Sequence, residues 1–176
     1  MRKEFAKILR QAFGARLRTA APGFGEMKLR SDYLGPGERA YADTVGEHIR
    51  RWIVLSPSAK DRDEFTVLIG WSTLGRYPEL GMIPCADMPS EARTEFAREE
   101  YLIRLSMLWS TQDPWWVVRP WKGGSLKALQ ASMAPITPEE AERRVIPAVD
   151  DAIGRLVDIG LPYLDEFARA VGARGV

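Results

Sequence analysis

The chain has 176 residues, of which 45% are hydrophobic and 28% are charged. This length suits one domain with an ample core, and the composition excludes a disordered or fibrous protein, so we predict a single domain over residues 1–176. The formal net charge is +1, which excludes a global electrostatic field that would recruit nucleic acid or an anionic membrane.

The cysteine and histidine content and the length of the apolar runs limit the kinds of site and the location that the protein can have. Cys85 is the only cysteine and His48 is the only histidine. An internal disulfide and a cysteine-based metal cluster are therefore excluded, and we expect no metal and no cofactor. Residues 1–18 have basic side chains between the apolar ones, unlike a signal peptide, and no run approaches the roughly 20 apolar residues of a membrane span. We predict a cytoplasmic protein without membrane contact.

The N-terminal segment predicts an amphipathic helix. Phe5, Leu9 and Phe13 recur at helical spacing, and basic residues occupy the other side. Gly14 follows this stripe, so we expect the helix to end there.

Several strands should follow this helix. Residues 24–33 alternate between apolar and polar side chains, which predicts a strand with one exposed face. The pattern of residues 41–45 does not predict one type of secondary structure. Residues 48–55 and 64–72 read as two strands, and the polar connection between them predicts a hairpin within an antiparallel sheet.

The middle of the chain predicts a loop, a helix and a short strand. Residues 73–89 contain several glycines and prolines and have no lasting periodicity, which indicates a long loop. Residues 89–109 have one apolar side at helical spacing and predict a central helix. Residues 115–121 are rich in β-branched and aromatic side chains, which favour a strand.

The C-terminal segment predicts two helices. Thr137 and Glu140 match a capping box, so a helix should cover residues 138–158. Gly160 and Pro162 predict a break before the last helix. The whole pattern indicates an α+β fold, in which an antiparallel sheet of about four or five strands has the N-terminal, central and C-terminal helices packed mainly on one side.

Groups typical of catalysis are scarce in this sequence. His48 lies at the start of a predicted strand, and Cys85 follows a proline in the long loop. Each is more common as a surface histidine or a small buried thiol than as a catalytic group. Spatial pairing of the two cannot be read from sequence, so a small enzyme of unknown reaction using Cys85 or His48 is the alternative to a binding protein.

The densest aromatic stretch is the tryptophan segment, residues 109–121, which holds four of the six tryptophans. Successive strand residues point to opposite faces, so one of Trp115 and Trp116 can pack in the core while the other stays available to a ligand or partner. Core packing alone is the competing interpretation. The candidate binding residues are Arg104, Asp113, Trp115, Trp116, Arg119 and Trp121.

The run from Arg104 to Trp116, with its element Asp113-Pro114-Trp115-Trp116, resembles the bacterial domain of unknown function family 4304. The order of parts is similar too, including the segment Leu161 to Leu164 in the last helix. This resemblance implies an α+β domain over most of the chain. It implies no reaction and no catalytic residue.

Aromatic and arginine content together favour a cytosolic binding or interaction protein that neutralises or regulates a partner protein through a Trp/Arg-lined surface. The sequence leaves a small-molecule ligand as an alternative to a protein partner. The second alternative is a weak nucleic-acid binder that uses the basic N-terminal end and stacking tryptophans, and the near-neutral total charge argues against it. The basic N-terminal and acidic C-terminal segments can also attract each other within the molecule.

Overall fold

The computed structural model describes residues 1–30, 33–59, 62–78, 98–112, 114–120 and 136–172. Cys85, Asp113 and Trp121 lie outside these ranges, as does the predicted central helix up to residue 97. The described residues form an antiparallel sheet with helices packed on one face, which confirms the α+β prediction.

The first helix, α1 (Lys3–Ala20), buries the apolar stripe that the sequence predicts. Leu9, Phe13 and Leu17 have no exposed surface. The predicted end at Gly14 is wrong, because Leu17 extends the apolar stripe beyond it. Burial of this stripe outweighs the cost of about 1 kcal/mol for one glycine inside a helix.

The described residues contain six strands. They are β1 (Gly25–Met27), β2 (Arg39–Val45), β3 (Ile49–Pro57), β4 (Asp63–Ser72), β5 (Glu100–Arg104) and β6 (Trp116–Arg119). The order across the sheet is β1-β2-β3-β4-β5, and β6 also pairs with β4. The first residues of β4 pair with β6 and its C-terminal half pairs with β5, so β5 and β6 share the edge beside β4.

The predicted central helix is wrong where the structure describes this segment. Residues 100–104 form β5, and Leu105–Leu108 form a 3-10 turn. Pairing with β4 buries Tyr101 and Leu102 in the apolar layers on opposite faces of the sheet. This burial on both faces overrides the helical propensity of the glutamate, leucine and arginine residues around them.

The second helix, α2 (Pro138–Arg155), begins where the capping signal predicts. The Thr137 hydroxyl oxygen accepts a hydrogen bond from the backbone N–H of Glu140 at 3.2 Å. Hydrogen bonds from its own backbone N–H and from the Thr137 hydroxyl lower the pKa of Glu139. Both bonds favour negative charge at the positive end of the helix.

The predicted break at residues 160–162 is wrong. The helical run continues from α2 through a π turn (Leu156–Gly160) into α3 (Leu161–Gly172). A π turn shifts the backbone hydrogen bonds by one residue, and here it ends two residues before Pro162, which has no N–H to donate. The chain therefore accommodates this proline without leaving the helical path.

The two faces of the sheet are both apolar but are covered differently. The main core lies between the helices and one face, and includes Ile53, Phe65, Val67, Ile69 and Trp71. A smaller cluster on the other face includes Ala40, Ala42, Trp52, Val54 and Leu102. In the described ranges, no helix is both long enough and apolar enough to cross a bilayer.

Trp71 is the centre of the main core, as its position in the most apolar strand predicts. It has no exposed surface, and its ring stacks on Phe167 of α3 with centroids 3.9 Å apart. Its indole N–H donates to the Arg98 carbonyl oxygen at 3.2 Å. The last helix is therefore fixed to the sheet through this aromatic stack.

Candidate functional site

The tryptophan segment forms part of the sheet edge beside β4. Trp116 lies opposite Phe65 in the register, and Val117 lies opposite Glu64. Because side chains alternate along a strand, Trp116 packs under the helices and Val117 points the other way. Trp116 is 9% exposed and Val117 is 49% exposed. Trp115, just before β6, is partly exposed.

Trp116 is a structural residue of the core. Its ring stacks on Phe65 with centroids 5.6 Å apart and an interplanar angle of 16°. Its indole N–H donates to Oδ2 of Asp151 on α2 at 2.7 Å. This hydrogen bond gives the polar end of the indole a charged partner and joins β6 to α2.

Trp115 contacts Arg104 on the face of the sheet that is opposite to the helices. Arg104, at the end of β5, pairs in register with Leu68, which packs against the smaller apolar cluster. The guanidinium carbon of Arg104 lies 5.2 Å from the centroid of the Trp115 ring, within the range of a cation–π contact. We call Arg104, Trp115 and Val117 the tryptophan surface.

The other candidate residues of the sequence have different positions. Arg119 is partly exposed at the end of β6, where it lies opposite Asp63. Asp113 and Trp121 are outside the described residues. The structure thus brings Arg104 and Trp115 together and assigns Trp116 to the core.

Sequence reasoning missed Arg155 of α2, which lies beside the tryptophan segment on the helix side of the sheet. Its guanidinium carbon is 4.7 Å from the centroid of the partly exposed Trp109 ring. Its Nε is 3.4 Å from Oδ2 of Asp151, the carboxylate that also accepts from Trp116. No local pattern could have revealed this contact, because it depends on how α2 packs on the sheet.

His48 lies at the surface, in the turn between β2 and β3. Its side chain is 66% exposed, and its Nε2 lies 3.6 Å from the carboxylate of the adjacent Glu47, which is 91% exposed. Cys85, its possible partner in the enzyme alternative, lies outside the described residues. Among the residues that the structure describes, no group of three His, Cys, Asp or Glu side chains could hold a metal ion.

A second candidate site lies at the other side of the sheet, between α1 and strands β1 and β2. It is a groove of about 600 Å³, which we call the basic groove. Its lining residues are Lys7, Arg10, Gln11, Gly14, Arg18, Glu26, Arg39 and Tyr41.

The helix residues of the basic groove have a signal in the sequence. Lys7, Gln11, Gly14 and Arg18 follow one another at intervals of three or four residues, and Arg10 lies three residues after Lys7 and four before Gly14, so all five form one stripe of α1. The sequence predicts basic residues, among them Lys7 and Arg10, on the side of α1 opposite its apolar stripe, but it does not predict that they line a groove. The contribution of β1 and β2 depends on tertiary packing and has no local signal.

Comparison of the chain with protein-family models, curated proteins and solved structures finds no match. The resemblance to the domain of unknown function family 4304 is neither supported nor contradicted by this result. The geometry of the two sites is therefore the basis for assigning a function.

Proposed function

We propose that the protein is a binding module that engages a partner protein through the tryptophan surface and thereby neutralises or regulates it. The observation that carries this proposal is the Arg104–Trp115 contact, in which a guanidinium holds a partly exposed indole beside the exposed Val117. Tryptophan and arginine are the residues most enriched among those that dominate binding energy at protein interfaces. An indole already held by a cation loses little conformational freedom on binding.

The charge and position of the surface indicate the chemistry of the partner. Arg104 places a guanidinium beside Trp115, which favours a partner segment that carries a carboxylate. Among the described residues, β6 pairs with β4 alone, so its outer side can accept an extended segment by strand addition. The partner is therefore an acidic, extended protein segment with an apolar residue that contacts Trp115.

The setting of this interaction is part of the proposal. The single cysteine suits a reducing compartment, which supports a cytoplasmic location. The resemblance to the domain of unknown function family 4304 supports a bacterial source.

The proposal is tested by affinity capture from a lysate of the source cells, with the wild-type chain and three variants as bait. Trp115→Ala and Val117→Ser remove apolar parts of the tryptophan surface. Val157→Ser is the matched control, because Val157 is 41% exposed and Val117 is 49% exposed. We expect a protein that the wild type and Val157→Ser retain and that the two surface variants lose.

The captured partner is then purified and its Kd is measured for each variant. Truncation of an interface tryptophan costs about 2 kcal/mol, so Trp115→Ala should raise Kd roughly thirtyfold. Equal retention by the wild type and Trp115→Ala would show that the partner binds elsewhere. Loss of binding in Val157→Ser would contradict the assignment to this surface.

A further inference from the structure

The basic groove holds more positive charge than its own lining neutralises. Glu26 and Arg39 form an ion pair, with Oε1 and Nε 3.4 Å apart. In the part of the chain that the structure describes, Lys7, Arg10 and Arg18 have no ion-pair partner. Cations that converge on one concave site without counter-charges repel each other, and an anion in the groove relieves that repulsion.

The groove also contains a hydroxyl that no described residue satisfies. Tyr41 is 3% exposed, and its ring packs against Phe13 with centroids 6.0 Å apart. Within the described ranges no hydrogen bond joins its hydroxyl to another residue. The hydroxyl lines the groove, so a ligand that enters can form a hydrogen bond with it in place of water.

Gly14 leaves this hydroxyl accessible from the groove. A Cβ atom at residue 14 would lie 3.2 Å from the Tyr41 hydroxyl oxygen, so any other side chain would cover it. Burial, and then the charge of Glu26, raise the pKa of Tyr41. The phenol is therefore neutral near pH 7 and can donate a hydrogen bond to an acceptor in the groove.

We infer that the basic groove binds a small molecule that carries a phosphate group. Lys7, Arg10, Arg18 and the Tyr41 hydroxyl are all hydrogen-bond donors, and a phosphate monoester offers three acceptor oxygens and a charge of about −1.5 to −2 near pH 7. This charge offsets the cations better than a single carboxylate does. The volume of about 600 Å³ is in the range of small-molecule sites.

The inference is tested by isothermal titration calorimetry at low ionic strength, in buffer without phosphate or sulfate. The probes are inorganic pyrophosphate, adenosine monophosphate and ribose 5-phosphate, with citrate as an anion that has no phosphate. We expect saturable binding of pyrophosphate with a Kd below about 1 mM, the range of typical metabolite sites. Tighter binding of adenosine monophosphate than of ribose 5-phosphate would assign a nucleotide, and equal binding would assign recognition to the phosphate alone.

Three variants separate the groove from general charge effects. Arg18→Gln should raise the pyrophosphate Kd at least about tenfold, since it removes a charged donor. Tyr41→Phe keeps the ring but removes the hydroxyl, and should raise the Kd about fivefold without lowering the melting temperature. Arg143→Gln removes the same charge as Arg18→Gln from an exposed position of α2 outside the groove lining, and should change the Kd less than about twofold.

Several results would overturn the inference. Absence of saturable binding, or citrate binding as tight as that of pyrophosphate, would exclude a phosphate site. An Arg143→Gln effect equal to that of Arg18→Gln would show unspecific attraction. Tighter binding of a single-stranded oligothymidylate than of every small probe would replace the small molecule by nucleic acid as the ligand.

Discussion

Alanine substitution of two adjacent tryptophans should have opposite consequences. Trp116→Ala should strongly destabilise the fold, whereas Trp115→Ala should leave stability nearly unchanged and weaken partner binding. The two residues have the same side chain and neighbouring positions, so sequence alone cannot rank them. The difference arises because one indole packs under α2 and the other lies on the opposite face against Arg104.

The expected magnitudes follow from the contacts of each indole. Trp116 is 9% exposed, and an aromatic side chain of this kind buries about 150–250 Å², worth roughly 4–6 kcal/mol at about 25 cal/mol per Å². Relaxation around the cavity brings the expected cost of Trp116→Ala to about 3–5 kcal/mol. Trp115→Ala loses mainly a partly exposed cation–π contact, worth about 0.5–1 kcal/mol.

Urea unfolding followed by circular dichroism measures both costs. Trp116→Phe is the control, because it can keep the stack on Phe65 while losing the donor to Asp151. Asp151 is 54% exposed and is re-solvated by water, so this variant should lose only about 1–2 kcal/mol. The reasoning would be refuted if Trp115→Ala cost as much as Trp116→Ala, or if Trp116→Ala unfolded at the wild-type midpoint.

Three further predictions concern the rest of the fold. Arg51→Gln should lower the free energy of unfolding by about 3 kcal/mol, because Arg51 is the bidentate partner of Asp43, whose side chain is only 12% exposed; an unchanged urea midpoint would contradict this. Gly70→Ala should open the β4–β5 pairing, because its Cβ atom would lie 2.0 Å from the Tyr101 carbonyl oxygen. Amide hydrogen exchange in β5 should then be faster than in the wild type, and unchanged protection would contradict this prediction. Burial raises the pKa of Tyr77 to about 12, so the folded state holds the phenolic proton more tightly than the unfolded chain and stability should fall as pH rises from about 10 to about 12. Tyr77→Phe should reduce this alkaline loss in urea unfolding, and an identical pH dependence in both proteins would count against the shift.

The elements that the sequence predicts well are those with a local physical cause. The β4 strand follows from a short run with apolar side chains on both faces, which pack in the main core and against the smaller cluster. The start of α2 follows from Thr137, whose hydroxyl meets the N–H of Glu140 three residues later. The opposite environments of Trp115 and Trp116 follow from the alternation of side chains beside β6.

The elements that the sequence misassigns depend on distant partners. Residues 100–104 contain good helix formers, and only pairing with β4 makes their two apolar faces favourable. The basic groove shows the same limit. No sequence pattern marks Tyr41 as a binding residue, and its hydroxyl becomes part of a candidate site only because α1 places Gly14 beside it. Arg155 likewise reaches Trp109 only through the docking of α2.

The separation of the two candidate sites allows each to serve as a control for the other. The basic groove includes β2, and the tryptophan surface includes β6, with β3 and β4 between them in the sheet. Neighbouring strands are about 4.8 Å apart, so three steps place the sites roughly 14 Å from each other, beyond the distance at which substitutions usually couple.

Tyr41→Phe should therefore leave the Kd of the captured partner unchanged, and Trp115→Ala should leave the Kd of pyrophosphate unchanged. The Kd of the double variant is measured by calorimetry with one ligand at a time. For each ligand, its fold-change should equal the product of the fold-changes of the two single variants. A coupling energy greater than about 1 kcal/mol between the two substitutions would contradict two independent sites, because it requires that a substitution at one site alters the other.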